Sequence, residues 1–365
     1  MDVDATLGSF GDLLFGSALA IYVLAMLLHA VEHGLLRRTG TEEESERTPV
    51  AVGASSASAL STSGSSGSSG RALADRPGDD QRDDLSPEAR ALAAARADAR
   101  SEDVVEPPVD RPRRPLSERF GRMAISLTVL AAALHLAMLV VRGVAAGRPP
   151  WGNMYEFTAA VCFCAVVAWL VVLYRRPVLQ RLGVFVLLPV IVLMFLGGTV
   201  LYTQTAPVVP ALRSYWLAIH VSAAVISSGI LLFAGVASVL YLLRAAHEAE
   251  PSRLRWTSRL PGADVLDRVA YRATALAFPI WTFAVIAGAI WAEAAWGRYW
   301  GWDPKEPTAF IAWVVYAGYL HARSTAGWRG RKAAVVNVVG LAVMVFNLFF
   351  VNLVVTGLHS YAGVG

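Results

Sequence analysis

The sequence predicts an all-α fold, a polytopic membrane bundle of about eight transmembrane helices with a long cytoplasmic linker. Three observations lead to this prediction. The chain of 365 residues is 55% hydrophobic and only 16% charged, which is unlike an ordinary soluble domain. Long stretches without a charged residue recur along it, and a helix needs about 20 apolar residues to cross the hydrocarbon core. Lys and Arg collect in alternate connections between those stretches.

Eight charge-free apolar stretches define the candidate helices. In chain order they are 13–31, 123–141, 157–174, 182–212, 214–243, 273–292, 307–322 and 333–365. The seventh is the shortest, so its ends must rely on flanking residues. The first lacks the small-residue cleavage site and basic region of a signal peptide, so we expect it to be retained as a helix.

The basic residues predict the orientation, because Lys and Arg are enriched in cytoplasmic loops. Most of them fall in the connections 32–122, 175–181, 244–272 and 323–332. The opposite set of connections holds only Arg142, Arg148, Arg213, Arg298 and Lys305. We therefore expect both termini and the loop 291–307 on the outer side of the plasma membrane. Since topology explains the basic charge, no nucleic-acid partner is expected.

The chain divides into three predicted parts. Residues 1–38 form an N-terminal transmembrane helix, 39–118 a disordered cytoplasmic linker, and 119–365 a seven-helix membrane domain. The linker is rich first in Ser and Gly and then in mixed charges, and such sequences stay solvated and flexible. We assign it no chemistry.

Two pairs of residues give weak signals of a metal or redox site. His29 and His33 share a helix face and could bind a metal, but two ligands are too few, and a polar, water-facing helix end is the favoured interpretation. Cys162 and Cys164 point to nearly opposite sides of the third span, so we expect them to pack and not to form a disulfide.

The segment before the third span reads RPPWGNMYEF. Pro149 and Pro150 interrupt the helix, and Glu156 suits the first turn of the next one. A capping and turn role is sufficient to explain this segment.

The loop 291–307, WAEAAWGRYWGWDPKEP, concentrates four of the chain's eleven tryptophans. They are Trp291, Trp296, Trp300 and Trp302. Clustered indoles make a platform for a flat, apolar ligand. The alternative is an aromatic belt at the membrane interface, but a belt spreads its rings around the bundle, so the concentration in one loop favours the platform. Asp303 with Glu306 has the form of a helix N-cap with a capping-box partner.

The pattern W-A-x-x-x-W-G-x-Y-W-x-W-D-P-K-E resembles the tryptophan-rich signature of the WWD-domain family of haem-handling proteins in System II cytochrome c biogenesis, the CcsA/ResC type. The resemblance extends over residues 119–363. It implies haem b as the bound substrate. It also implies that His220, in W-L-x-I-H-V, and His359, near the end of the eighth span, are the two outer iron ligands. The four tryptophans and Asp303 would then surround the haem.

The same resemblance implies an inner iron ligand, His321 in Y-L-H-x-R, whose counterpart comes from a ResB-type partner subunit. The implied function is the delivery and attachment of haem in cytochrome c maturation, as the haem-handling subunit of a holocytochrome c synthetase (haem lyase). Thioether bonds would form to the CxxCH motif of an apocytochrome c. A thiol-reducing thioredoxin-like protein and the lipid bilayer are the further partners.

Two other functions remain open at this point. One is a transporter of haem or a small amphiphile without ligation activity, for which Pro189, Gly197 and Gly198 in the fourth span hint at a helix break. The other is a quinone-linked electron-transfer subunit that would use His135 and His321 within the membrane.

Overall fold

A computed structural model describes residues 5–46, 115–208, 212–325, 327–355 and 357–359, with short pieces at 86–88, 91–92 and 95–96. The predicted linker 39–118 lies mainly outside the described residues, so its disorder stays a prediction, as does the division at residues 38 and 118. One compact unit contains Met1–Glu42 and Pro115–Gly365. The fold below is that of this unit.

Long α-helices make up the described part of this unit, which contains no β-strand. The helices are α1 (Ala5–Glu46), α2 (Leu116–Ala146), α3 (Met154–Arg175), α4 (Gly183–Thr199), α5 (Trp216–Ala249), α6 (Ala263–Trp296), α7 (Lys305–Ser324) and α8 (Arg331–Leu353). The predicted all-α membrane bundle is confirmed. The fourth span was predicted too long, because the charge-free sequence continues past Thr199 into a non-helical segment.

Seven segments are long and apolar enough to cross a membrane: every helix except α7, with α4 counted together with the 3₁₀ helix Pro177–Leu182 that precedes it. The chain is therefore a multi-pass membrane protein. Helix α7 has 20 residues, about 30 Å of length, but polar side chains at both of its ends lower its hydropathy. The prediction of about eight spans thus becomes seven within the described residues, with α7 as an eighth helix of sufficient length. Which side of the membrane each end faces stays a prediction.

Helix α5 lies at the centre of the bundle and packs on α3, α6 and α8. Within its apolar span 72% of the residues are buried, against at most 50% for each of the other spans. Glycines allow two of these approaches. A Cβ at Gly229 would collide with the backbone of Val161 in α3, and one at Gly235 would collide with Leu341 in α8. Small residues at such contacts are typical of helix packing in membranes.

The turn before α3 holds a buried ion-pair network. Asn153 caps α3, since its Oδ1 accepts a hydrogen bond from the backbone N–H of Glu156 at 2.9 Å, which agrees with the capping role expected of this segment. Glu156 does more than begin the helix. Its carboxylate pairs with Arg142 of α2 at 3.3 Å and with Arg148 at 2.6 Å, and Arg142 also pairs with Asp12 of α1 at 2.9 Å. The network joins the first three helices.

The end of α1 near residue 30 is not the water-facing surface that its sequence predicted. His29 is 2% exposed, and its ring meets the indole of Trp169 edge-on at 5.6 Å between centroids. The Glu32 carboxylate contacts His29 Nδ1 at 3.1 Å and accepts a hydrogen bond from Gln180 at 2.6 Å. The prediction was wrong because the pattern of one helix does not reveal which neighbours cover it.

Candidate functional site

A cavity of about 230 Å³ opens among α3, α5, α6, α7 and α8, beneath the loop 291–307. A single water needs only about 10–15 Å³ by the same measure, so the cavity can take a much larger ligand. Its lining is mainly apolar and aromatic. The aromatic and polar side chains that line it include Trp151, Asn153, His220, Trp281, Trp291, Trp296, Trp300, Lys305, Glu306, Asn347, Asn352 and His359.

His220 lies in the second turn of α5 and is held from two sides. Its Nδ1 lies 2.8 Å from the carbonyl oxygen of Ala284 in α6. Since a carbonyl can only accept, Nδ1 carries the proton and the ring lone pair is on Nε2. The ring of Trp291 meets it edge-on at 5.7 Å. Gly288 makes this approach possible, because a Cβ there would lie 2.7 Å from His220 Cε1.

His359 follows α8 and is held by the Asp303 carboxylate. Its Nδ1 donates to Asp303 Oδ2 at 2.5 Å, and the backbone N–H of Leu358 donates to Asp303 Oδ1 at 2.5 Å. The indole of Trp296 meets the His359 ring edge-on at 5.1 Å. Burial and then the charge of Lys305 lower the pKa of His359 below its ordinary value, although Asp303 acts in the opposite direction. The neutral imidazole is the form that binds a metal.

Asp303 is not the N-cap that the sequence predicted. Helix α7 begins after Pro304 and has no side-chain cap. Only one half of the expected capping box is present, since the Glu306 carboxylate accepts hydrogen bonds from the backbone N–H groups of Asp303 at 3.1 Å and Gly301 at 2.8 Å. The Asp303 side chain turns instead to His359, a partner that local sequence does not reveal.

Not all four tryptophans of the loop line the cavity. Trp291, Trp296 and Trp300 line the cavity, whereas Trp302 is 76% exposed and has a left-handed backbone at φ 59°. The ring of Trp302 meets the ring of Trp300 edge-on at 5.7 Å between centroids. The platform that the sequence predicted therefore has three indoles at the cavity and one beside it.

Several polar atoms of the lining are buried without a protein partner. Among the described residues, the indole nitrogens of Trp281 and Trp291 and the amide oxygen of Asn347 make no hydrogen bond. A buried polar group without a partner costs free energy. A ligand with a flat apolar face and polar edges would fill the cavity and satisfy such groups.

His321 lies far from this cavity. It is an exposed residue at the opposite end of α7, sixteen residues or about 24 Å from Lys305 along the helix. The neighbouring Arg323 pairs with Asp267 of α6 at 2.6 Å. His321 therefore does not join His220 and His359 in one site.

His135 is also separate. It is fully buried and lies between the rings of Tyr22, at 5.9 Å, and Phe163, at 5.6 Å. These neighbours belong to α1 and α3, whereas His321 lies exposed on α7. The structure therefore does not bring together the pair that an electron-transfer subunit would need.

Sequence reasoning missed part of the cavity wall. Trp151, in the turn before α3, lines the cavity and donates its indole N–H to the carbonyl of Leu217 in α5 at 3.2 Å. Its place in the turn segment RPPWGNMYEF was the available signal. Gly288 and Asn352 had no signal, because their importance comes from contacts between helices.

Residues 151–359 match the family model described as cytochrome C assembly protein. Every residue that lines the cavity falls within this segment. The chain belongs to this family. The assignment confirms the resemblance predicted from the tryptophan-rich loop.

Similar proteins agree with the family. The cytochrome c biogenesis protein CcsA of Chlamydomonas reinhardtii is 35% identical over 233 residues, 62% of this chain and 65% of that protein. Its namesake in Parasynechococcus marenigrum is 36% identical over 261 residues, 64% of this chain and 85% of that protein. The CcsA protein of Gloeobacter violaceus is 30% identical over 309 residues, which cover 68% of this chain and 88% of that protein. The chain thus spans just under two thirds of the algal relative and most of the cyanobacterial ones. It has a role in cytochrome c biogenesis.

Proposed function

We propose that this chain handles haem in cytochrome c maturation. It holds haem b at the outer face of the plasma membrane, where the haem is attached to the CxxCH motif of an apocytochrome c. The observation that carries the proposal is that His220 and His359, which lie 139 residues apart in the sequence, line one cavity together with three indoles. A ResB-type subunit, present as a separate chain, completes the machinery.

Both histidines are oriented as metal ligands usually are. A ligating histidine commonly donates its other ring nitrogen to a carbonyl or a carboxylate, which fixes the tautomer and the ring plane. His220 has the Ala284 carbonyl and His359 has the Asp303 carboxylate in this position. Each ring thus keeps its Nε2 lone pair for iron, and two such ligands make haem iron six-coordinate.

The indoles supply the apolar surroundings. Trp291 touches His220 and Trp296 touches His359, so each ligand has an aromatic neighbour that limits its rotation. Apolar rings also exclude water from the haem, and the unpartnered indole N–H of Trp291 can donate to a polar edge of the ligand.

The chain contributes positioning to the attachment reaction. Each cysteine thiol of the CxxCH motif adds across one vinyl C=C bond of the haem, so that sulfur bonds to the vinyl carbon next to the ring and the hydrogen completes the terminal carbon. No electron is gained or lost overall, but the thiols must be reduced, which requires a thioredoxin-like reductant. Holding the porphyrin in one orientation makes the addition effectively unimolecular.

His321 fits a separate inner site shared with the partner subunit. It is exposed at the predicted cytoplasmic end of α7, where a histidine from another chain could approach it. An ionisable residue in such a helix is a candidate for function. In this proposal His321 and the partner's histidine accept haem before it reaches the outer cavity.

The alternative is a transporter without ligation activity, for which the sequence suggested a helix break at Pro189, Gly197 or Gly198. The structure does not contain that break. Helix α4 continues without a break from Gly183 to Thr199 through Pro189. The two functions also predict different results for the same variants. A transporter without axial ligation keeps its activity when either outer histidine is removed.

The experiment is to co-express the chain with its ResB-type partner and an apocytochrome c, in a host that lacks its own maturation system. Covalent cytochrome c is measured by haem staining after denaturing electrophoresis, and co-purified haem by absorbance. His220→Ala and His359→Ala should each abolish maturation. The matched control is His247→Ala, which changes a half-buried histidine at the other end of the same helix as His220, and this variant should mature cytochrome normally. Normal maturation in both outer variants would refute the proposal.

A further inference from the structure

Lysine is rare in this chain, and one of its two lysines lines the cavity. Lys305 and Lys332 are the only lysines among 32 basic residues. Lys332 lies in the connection predicted to be cytoplasmic, with its ammonium 5.4 Å from the ring of Trp328. Lys305 is the lysine at the other end of the bundle, and its side chain is part of the cavity wall. A lysine carries a compact point charge with three donors, in contrast to the planar fork of arginine.

The carboxylates that flank Lys305 in the sequence are engaged with other groups. Asp303 accepts from His359 and from the backbone of Leu358. Glu306 accepts from the backbone N–H groups of Gly301 and Asp303. Among the described residues, Lys305 forms no ion pair, and the hydrogen bond of its Nζ goes to a neutral amide, Asn352 Oδ1, at 2.7 Å.

Asn352 fixes the direction of this amine. Its own amide nitrogen donates to the carbonyls of Asn347 at 3.0 Å and Leu348 at 2.7 Å, so its oxygen must face Lys305. One of the three ammonium donors is thereby used. The remaining donors lie at the edge of a largely apolar cavity. The Asp303 carboxylate attracts the ammonium from nearby, but among the described residues no carboxylate bonds to it, and a buried charge without a hydrogen-bonded partner is costly. An anionic group on the ligand would supply the missing partner.

We propose that Lys305 binds a carboxylate of the ligand and so determines which way round the porphyrin enters the cavity. This inference rests on the proposed function and deepens it. A b-type haem carries both of its carboxylates on one edge and its vinyl groups away from them. With a carboxylate at Lys305, that edge lies against the first turn of α7, and the vinyl groups face away from it.

The orientation has a consequence for attachment. The lining of the cavity also includes Trp151 and Asn153, in the turn before α3. The thiols of the apocytochrome would meet the vinyl groups at the edge of the porphyrin that faces away from Lys305. Haem bound in the reverse direction would present its carboxylates there and could not form the thioether bonds.

Haem and its dimethyl ester test the inference directly, because they differ only at the two carboxyl groups, which are charged in haem and neutral methyl esters in the dimethyl ester. Binding of each to the purified complex is followed by the Soret absorbance. A charged hydrogen bond predicts about tenfold or more tighter binding of haem than of the ester. In Lys305→Met the two ligands should bind about equally. The control Lys332→Met, at the other lysine, should keep the wild-type preference.

Two results would overturn the role of Lys305. The first is equal affinity of the wild type for haem and for the dimethyl ester, a result that needs no variant. The second is a preference for haem over the ester that remains in Lys305→Met. Asn352→Asp gives a second variant of nearly unchanged shape, in which an internal carboxylate competes for Lys305. It should lower the preference for haem. The proposed function fails separately, when the wild type binds neither ligand through its histidines.

Discussion

The Asp303 carboxylate accepts a hydrogen bond from His359 Nδ1 at 2.5 Å, although the two residues lie 56 positions apart in the chain. The same carboxylate accepts the backbone N–H of Leu358. It therefore fixes both the segment that follows α8 and the ring that this segment carries. The tryptophan-rich loop and the chain's last described residues form one structure through this contact.

Asp303→Asn should weaken haem retention about 10- to 100-fold, the usual effect of losing a carboxylate that orients a metal-ligating histidine. The amide keeps the shape of the side chain but lacks its charge and one acceptor. Equilibrium titration of haem into the purified complex measures the effect. The control Asp264→Asn removes an exposed carboxylate that pairs with Arg268 and should leave the titration unchanged. Equal haem affinities of the wild type and Asp303→Asn would contradict the proposal that Asp303 orients His359.

Gly288→Ala should displace His220 and impair haem binding. A Cβ at this position would lie 2.7 Å from the His220 ring, so either the ring or α6 must move. The control is Gly318→Ala in α7, where a Cβ has no atom within 4 Å. Haem content per purified complex is the measurement. A Gly288→Ala complex that holds the full amount of haem would mean that His220 does not need its present position.

Trp296→Ala and Trp302→Ala should differ, although both residues belong to the same motif. Trp296 contacts the His359 ring, whereas Trp302 is 76% exposed. We expect Trp296→Ala to lower haem affinity severalfold more than Trp302→Ala does, because burial determines how much an aromatic ring contributes. The comparison uses the same haem titration. A larger loss for Trp302→Ala would assign the exposed indole, and not the partly buried Trp296, to the haem.

Glu156→Gln should destabilise the fold and not act on the haem directly. The side chains of Glu156 and Arg142 have no exposed surface. Removing one partner of a buried ion pair typically costs about 3–5 kcal/mol. Thermal unfolding of the detergent-solubilised protein should therefore begin at a clearly lower temperature. Glu250→Gln, which breaks an exposed pair with Arg253, should cost less than about 1 kcal/mol. Equal unfolding temperatures for the two variants would contradict the importance of the network.

The helices could be predicted from sequence because the bilayer imposes a length and an apolar composition on each one. Their surroundings could not. His29 was expected at a water-facing end and is buried against Trp169, since the sequence of α1 does not encode its neighbours. The sequence around Asp303 is typical of a helix N-cap, but in the structure its side chain bonds to His359, 56 residues further along the chain. A tertiary hydrogen bond of this kind can replace the local one that the sequence predicts.

The candidate site, too, could be predicted from the sequence only in part. His220, His359 and all four tryptophans of the loop were predicted at one site, and the structure brings both histidines and three of the tryptophans to one cavity. The motif could not distinguish the exposed Trp302 from Trp291, Trp296 and Trp300, which are partly buried, because a sequence pattern does not specify which rings of a loop face a cavity. The roles of Gly288 and Asn352 depend on approaches between α6 and α5 and between α7 and α8. Such approaches leave no trace in a single sequence.

The most direct test of the central claim is the ligation state of haem in His359→Gly, read from the absorption and paramagnetic resonance spectra of the purified complex. In the wild type, two axial histidines should give a six-coordinate low-spin haem. His359→Gly should convert it to a five-coordinate high-spin haem, and added imidazole, which fits the vacated space, should restore the low-spin spectrum. A low-spin bis-histidine spectrum that persists in His359→Gly without imidazole would contradict the claim that His220 and His359 hold one haem between them.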